Sequence, residues 1–70
     1  MNRYFILRVQ ENQEHPTVWR QHPDLSVLRL RCNGWKPSMV DSFDLAKLSF
    51  KEVSKEQVLK WYPKLAETEL

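Results

Sequence analysis

The single glycine of this chain, Gly34, sits in Asn33-Gly34, between two stretches that alternate apolar and cationic residues. Asn-Gly is a strong hairpin signal, because a type I′ turn needs positive φ at both central residues. Counting outward from that turn pairs Cys32 with Trp35, Arg31 with Lys36, Leu30 with Pro37, Arg29 with Ser38 and Leu28 with Met39. Strand side chains alternate between faces. One face then collects Leu28, Leu30, Cys32, Trp35, Pro37 and Met39. The other collects Arg29, Arg31, Lys36 and Ser38. A register taken from the turn alone thus separates apolar from polar residues. Pro37 lacks an N–H, so the second strand is expected to lie at a sheet edge or to end early. The competing reading is a helix over Leu25–Asn33 with Gly34 as its C-cap. It groups Leu25, Leu28 and Cys32 but places Val27 and Leu30 poorly.

Similar patterning reads along the rest of the chain. Arg3 to Gln10 has β-favouring types, with Phe5, Leu7 and Val9 alternating with Ile6, Arg8 and Gln10. Glu11 to His15 is polar and turn-like, and Thr17 to Arg20 reads as a returning strand with Pro16 at its start. These two strands are expected to form a hairpin with a loop of about five residues. Asp41 to Leu48 reads as a short helical turn or a loop, and Leu48 to Val53 as a further strand. Ser54-Lys55-Glu56-Gln57 matches a capping box, and so does Ser49-Phe50-Lys51-Glu52. Only Ser54 is followed by helical periodicity, with Val58, Trp61, Tyr62 and Leu65 on one face. Pro63 removes a donor and disfavours helical geometry at Tyr62, so the helix is expected over Lys55 to about Tyr62. One more turn from Pro63 and fraying of the last residues are expected after it.

The sum is an α+β domain spanning residues 1–70. It is a small antiparallel sheet of three to five short strands, with one C-terminal helix packed on one face. Seventy residues bury a modest core, so one domain is all such a chain supports. The single cysteine, Cys32, excludes an intramolecular disulfide and suits a reducing compartment. The longest apolar run, Tyr4 to Leu7, is too short for a signal peptide or a membrane span, so a cytoplasmic location is expected and no membrane partner.

Catalysis is not expected. The sequence holds no nucleophile elbow, no glycine-rich phosphate loop and no histidine set among acidic partners. Asp44 reads as a capping or solvated residue. His15, His22 and Cys32 match no zinc spacing, so neither metal nor cofactor is expected, and no small-molecule substrate.

Charge carries the functional clue. The formal charge is only +2, yet all five arginines lie in the first 31 residues. Arginine grips carboxylate or phosphate with a planar fork of donors. Arg29, Arg31 and Lys36 would share the outer face of the hairpin, with Arg8, Arg20 and Trp19 extending it. Three tryptophans in 70 residues are many for so small a core, and Trp and Arg dominate protein-interface hot spots. Trp61-Tyr62-Pro63 reads as a partly exposed docking edge. Two functions follow. In the first, a small regulatory protein contacts another protein, or a second copy of itself, through Trp61, Tyr62 or the arginine face. In the second, the same arginines hold nucleic-acid phosphates.

Overall fold

The protein is described from a computed structural model, which covers residues 1–65 and 70. Five strands form one antiparallel sheet: β1 (Arg3–Leu7), β2 (Val18–Gln21), β3 (Val27–Arg31), β4 (Gly34–Pro37) and β5 (Phe50–Val53). Their order across the sheet is β4-β3-β2-β1-β5. Helix α1 (Ser42–Leu45) precedes β5, and helix α2 (Lys55–Trp61) follows it. The expected α+β architecture with a C-terminal helix on the sheet is therefore present. β4, which ends at Pro37, is an edge strand.

The sheet is apolar on both faces, whereas sequence patterning assigns a polar outer face to the hairpin. Tyr4, Ile6 and Val18 pack with Val58 of α2 on one side. Phe5, Trp19 and Val27 pack with Leu45 of α1 on the other, where Val40 and Phe50 join them. β1 supplies both clusters because Tyr4, Phe5 and Ile6 are consecutive, buried, and point alternately to the two sides.

The β3–β4 hairpin replaces the helix considered for Leu25–Asn33, but in a register two residues from the expected one. Leu28 pairs with Pro37, Arg29 with Lys36, Leu30 with Trp35 and Arg31 with Gly34. Within the turn, only Gly34 has positive φ, at +110°. Asn33 does not, so type I′ geometry is not met, and the turn centres on Cys32-Asn33 instead. A shift of two preserves the faces, since side chains repeat every second residue. Cys32 and Met39 are the losses. Both leave the apolar face and are exposed, Met39 fully.

Other boundaries differ for local reasons. β1 ends at Leu7, and Arg8–Gln10 form a 3₁₀ turn. Gln10 then folds back, its Oε1 accepting from the Thr17 N–H at 2.9 Å. Val9 is thereby left exposed rather than alternating in a strand. The β1–β2 connection is accordingly longer than the expected loop. α1 begins with a reciprocal box. The Asp41 Oδ1 accepts from the Asp44 N–H at 2.9 Å, and the Asp44 Oδ2 accepts from the Asp41 N–H at 3.2 Å. Asp44 is thus a capping residue. At α2 only half of the expected box forms, the Ser54 Oγ accepting from the Gln57 N–H at 3.1 Å. After α2 one turn closes from the Leu65 N–H to the Tyr62 carbonyl. Residues 66–69, on which the expected fraying falls, lie outside the described residues. No helix among the described residues is long and apolar enough to cross a membrane.

Candidate interaction surface

The strand registers place Lys36, Arg29, Trp19, Phe5 and Glu52 in one row across the α1 face. Arg31 lies two residues beyond Arg29 on β3 and shares that face. The α1 segment covers the middle of the face through Val40 and Leu45. Toward the β4 edge the cover thins: Arg29 and Lys36 are half-buried, and Arg31 is exposed. The geometry therefore gathers Arg29, Arg31 and Lys36 on one side of one hairpin, with Arg29 directly opposite Lys36.

What separates these three from the strand cations Arg3 and Lys51, and from Arg8 and Lys47 beside the strands, is their surroundings. The Arg3 guanidinium grips Glu52 through Nε at 3.0 Å and Nη2 at 2.7 Å. Lys51 bonds Glu11 at 2.6 Å, and Lys47 bonds Asp44 at 3.1 Å. The Arg8 Nε donates to the Leu48 carbonyl at 2.7 Å. Among the described residues, the side chains of Arg29, Arg31 and Lys36 make no hydrogen bond or ion pair. Like charges placed directly across a ladder are destabilising.

Arg20 does not extend this surface. It neighbours Trp19 in β2 and therefore points to the α2 face. There its guanidinium lies 4.5 Å from the centre of the Trp35 ring, and its Nε contacts the His22 Nε2 at 3.1 Å. Burial pushes its pKa down from the ordinary arginine value. Trp19 is on the expected side but is only 6% exposed. Its ring meets Phe50 edge-on at 5.2 Å, so it is a core residue and offers no stacking surface.

Trp61 and Tyr62 are half-buried against the α2-face cluster. The Tyr62 hydroxyl donates to the Pro16 carbonyl, and burial raises its pKa. Both line a groove of about 590 Å³ with His15, Leu30 and Cys32. Arg31 also lines that groove, so the Trp61–Tyr62 edge meets the hairpin cations at the turn end of β3, while Arg29 and Lys36 are not part of its lining. Sequence reasoning overlooks Met39 and Phe43, which are 102% and 78% exposed on the segment that leaves β4 over the α1 face. A signal for Phe43 exists. Asp41 and Asp44 mark the start of a helix, and its Leu45 is the buried residue.

His15 and Cys32 line the Trp61–Tyr62 groove, and His22 lies near Asp24. No set of three or more His, Cys, Asp or Glu among the described residues is placed to hold a metal ion. No protein-family model matches the chain, no curated protein matches its sequence, and no solved structure matches its fold.

Proposed function

We propose that this chain is a small, non-catalytic binding protein that acts by contacting an acidic protein through Arg29, Arg31 and Lys36. The observation that carries this reading is that three neighbouring cations have no partner among the described residues, while the other strand cations are engaged. An acidic surface would supply the missing countercharge and speed encounter. Exposed Met39 and Phe43 add apolar contact on the same side. A second copy of the chain fits this face less well, since a two-fold pairing would set the cationic patches against each other. Nucleic acid would satisfy the charge too. Against it stand the modest net charge and the burial of Trp19, the tryptophan opposite Arg29. The exposed free thiol of Cys32 suits the reducing cytoplasm.

The test compares the wild-type chain with the Arg29→Glu, Arg31→Glu double variant as baits in nuclease-treated host extract. An acidic protein retained by the wild type and lost by the variant is the expected result. Equal retention by both baits overturns the reading. Retention that disappears on nuclease treatment replaces it with phosphate recognition, which should also weaken steeply with salt.

A further inference from the structure

We infer that Arg29 and Lys36 form an oxyanion subsite, in which the Arg29 Nε–H and the Lys36 ammonium together hold one carboxylate or phosphate group. The inference rests on the binding reading above and sharpens it to a pair of atoms. Its first support is the direct opposition of two like charges across β3 and β4 with no counter-ion among the described residues. Its second is independent of charge. The Arg29 Nε is buried and has no hydrogen-bond partner. A buried donor left unpaired is costly and calls for an acceptor.

The neighbouring residue of the row deepens the deficit. Trp19, opposite Arg29 on β2, is nine-tenths buried, and among the described residues its Nε1 is the other buried side-chain donor without a partner. Lysine, arginine and the indole N–H are donors only, so no rotation lets these three satisfy one another. The acceptor has to come from outside the row. Rotation of the Arg29 side chain toward solvent opens its Nε edge to such a group. Nε and one Nη then present the parallel donors that suit a carboxylate or a phosphate. Lys36 adds a point charge from the facing strand. A carboxylate would come from an acidic residue of the partner, and a phosphate from a phosphorylated partner or a free ion.

The full chain labelled with ¹⁵N tests this by titration with inorganic phosphate and, separately, with an acetylated tetraglutamate peptide. The Arg29 Nε–H resonance should move saturably with at least one of them. A response to phosphate alone, or to the peptide alone, supports the subsite and names its source. Arg29→Lys keeps the charge and loses the Nε donor, so affinity should fall about tenfold. Lys36→Gln should weaken binding about fivefold, and Arg31→Lys by less than about twofold. No response to either probe overturns the subsite, and so does Arg29→Lys binding as tightly as wild type. In either case the broader reading would still stand if the double charge reversal abolished capture in extract. Failure of that capture with an intact Arg29 Nε–H response would reject the protein partner and keep the subsite.

Discussion

On the α2 face of the sheet, Arg20 lies over the Trp35 ring and contacts His22. On the α1 face, Arg29 stands opposite Lys36 with an unpaired Nε. Both arginines are half-buried and belong to adjacent strands. The difference comes from what each face offers. The α2 face is closed by a longer helix and brings an aromatic ring beneath its cation. The α1 face is closed by a single helical turn that covers Phe5, Trp19 and Val27 and leaves the β4 side open. A cation engaged inside the fold contributes to stability, and one without a partner is available for binding.

The largest expected effects test whether the two faces share the load of the fold. Phe5 and Ile6 are consecutive, and each serves one cluster. Phe5→Ala should cost about 3–5 kcal/mol and Ile6→Ala about 2–5 kcal/mol, measured by urea unfolding. In a domain this small either loss approaches the whole stability. If Phe5→Ala were nearly silent, the α1 side would be an appendage and the molecule a one-faced sheet.

Much of this two-sidedness is legible in Tyr4-Phe5-Ile6-Leu7. Four apolar residues in a row cannot alternate with a polar face, so the run marks a strand buried on both sides. Reading Phe5, Leu7 and Val9 as one alternating set obscures it. The faces of the hairpin survive the register error because they depend only on odd and even positions. The placement of Arg20 beside Arg29 fails for the same rule, since Trp19 and Arg20 are neighbours and cannot share a face. The α2 boundaries follow from Ser54 and Pro63, both strong local signals. α1 is harder to see, because its box uses aspartate at both ends and its helix is one turn long. The 3₁₀ turn at Arg8–Gln10 depends on contacts from distant segments, the Arg8 N–H to the Ser49 carbonyl and the Gln10 side chain to Thr17. No local pattern announces those.

The two faces should also part company at opposite ends of the pH scale. Tyr4 and Tyr62 belong to the α2 face, and burial raises both above the ordinary value of 10.0. The fold thus favours the neutral phenols. That contribution is intact below pH 10.0 and is lost as pH rises through the folded values. Tyr62→Phe should push the alkaline midpoint upward. At the acid end, hydrogen bonds from Lys51, from the Asp41 backbone and from Arg3 hold Glu11, Asp44 and Glu52 below their ordinary values. Their contribution is present above the ordinary values of 4.5 and 3.8 and is lost as pH falls through the folded ones. These groups are exposed, so high salt should flatten the acid limb and leave the alkaline limb unchanged. Thermal melts across the pH range, at low and high salt, read both limbs.

Caps give a smaller contrast. Asp41→Ala removes an acceptor that anchors a reciprocal box, and Ser54→Ala removes a single cap bond. Each should cost about 1 kcal/mol, with Asp41→Ala the larger. Amide exchange locates the loss, which should fall on Leu45 for one variant and on Val58 for the other. Equal opening of both helices by either variant would mean that the faces unfold as one unit.

The smallest effect is the most informative about function. Arg20→Gln gives up the stacking on Trp35 and the charge beside it, so it should destabilise by about 1 kcal/mol. Arg29→Gln keeps a polar stem of similar course but removes one of two opposed like charges. Its stability should stay within about 0.5 kcal/mol of wild type, on the stabilising side. The same substitution should weaken binding of an acidic ligand. A residue whose removal helps the fold and harms binding is held for the ligand, and paired urea titrations of the two variants separate this from a structural role. Should Arg29→Gln destabilise the protein more than Arg20→Gln does, Arg29 is a structural residue and the two faces use their arginines alike.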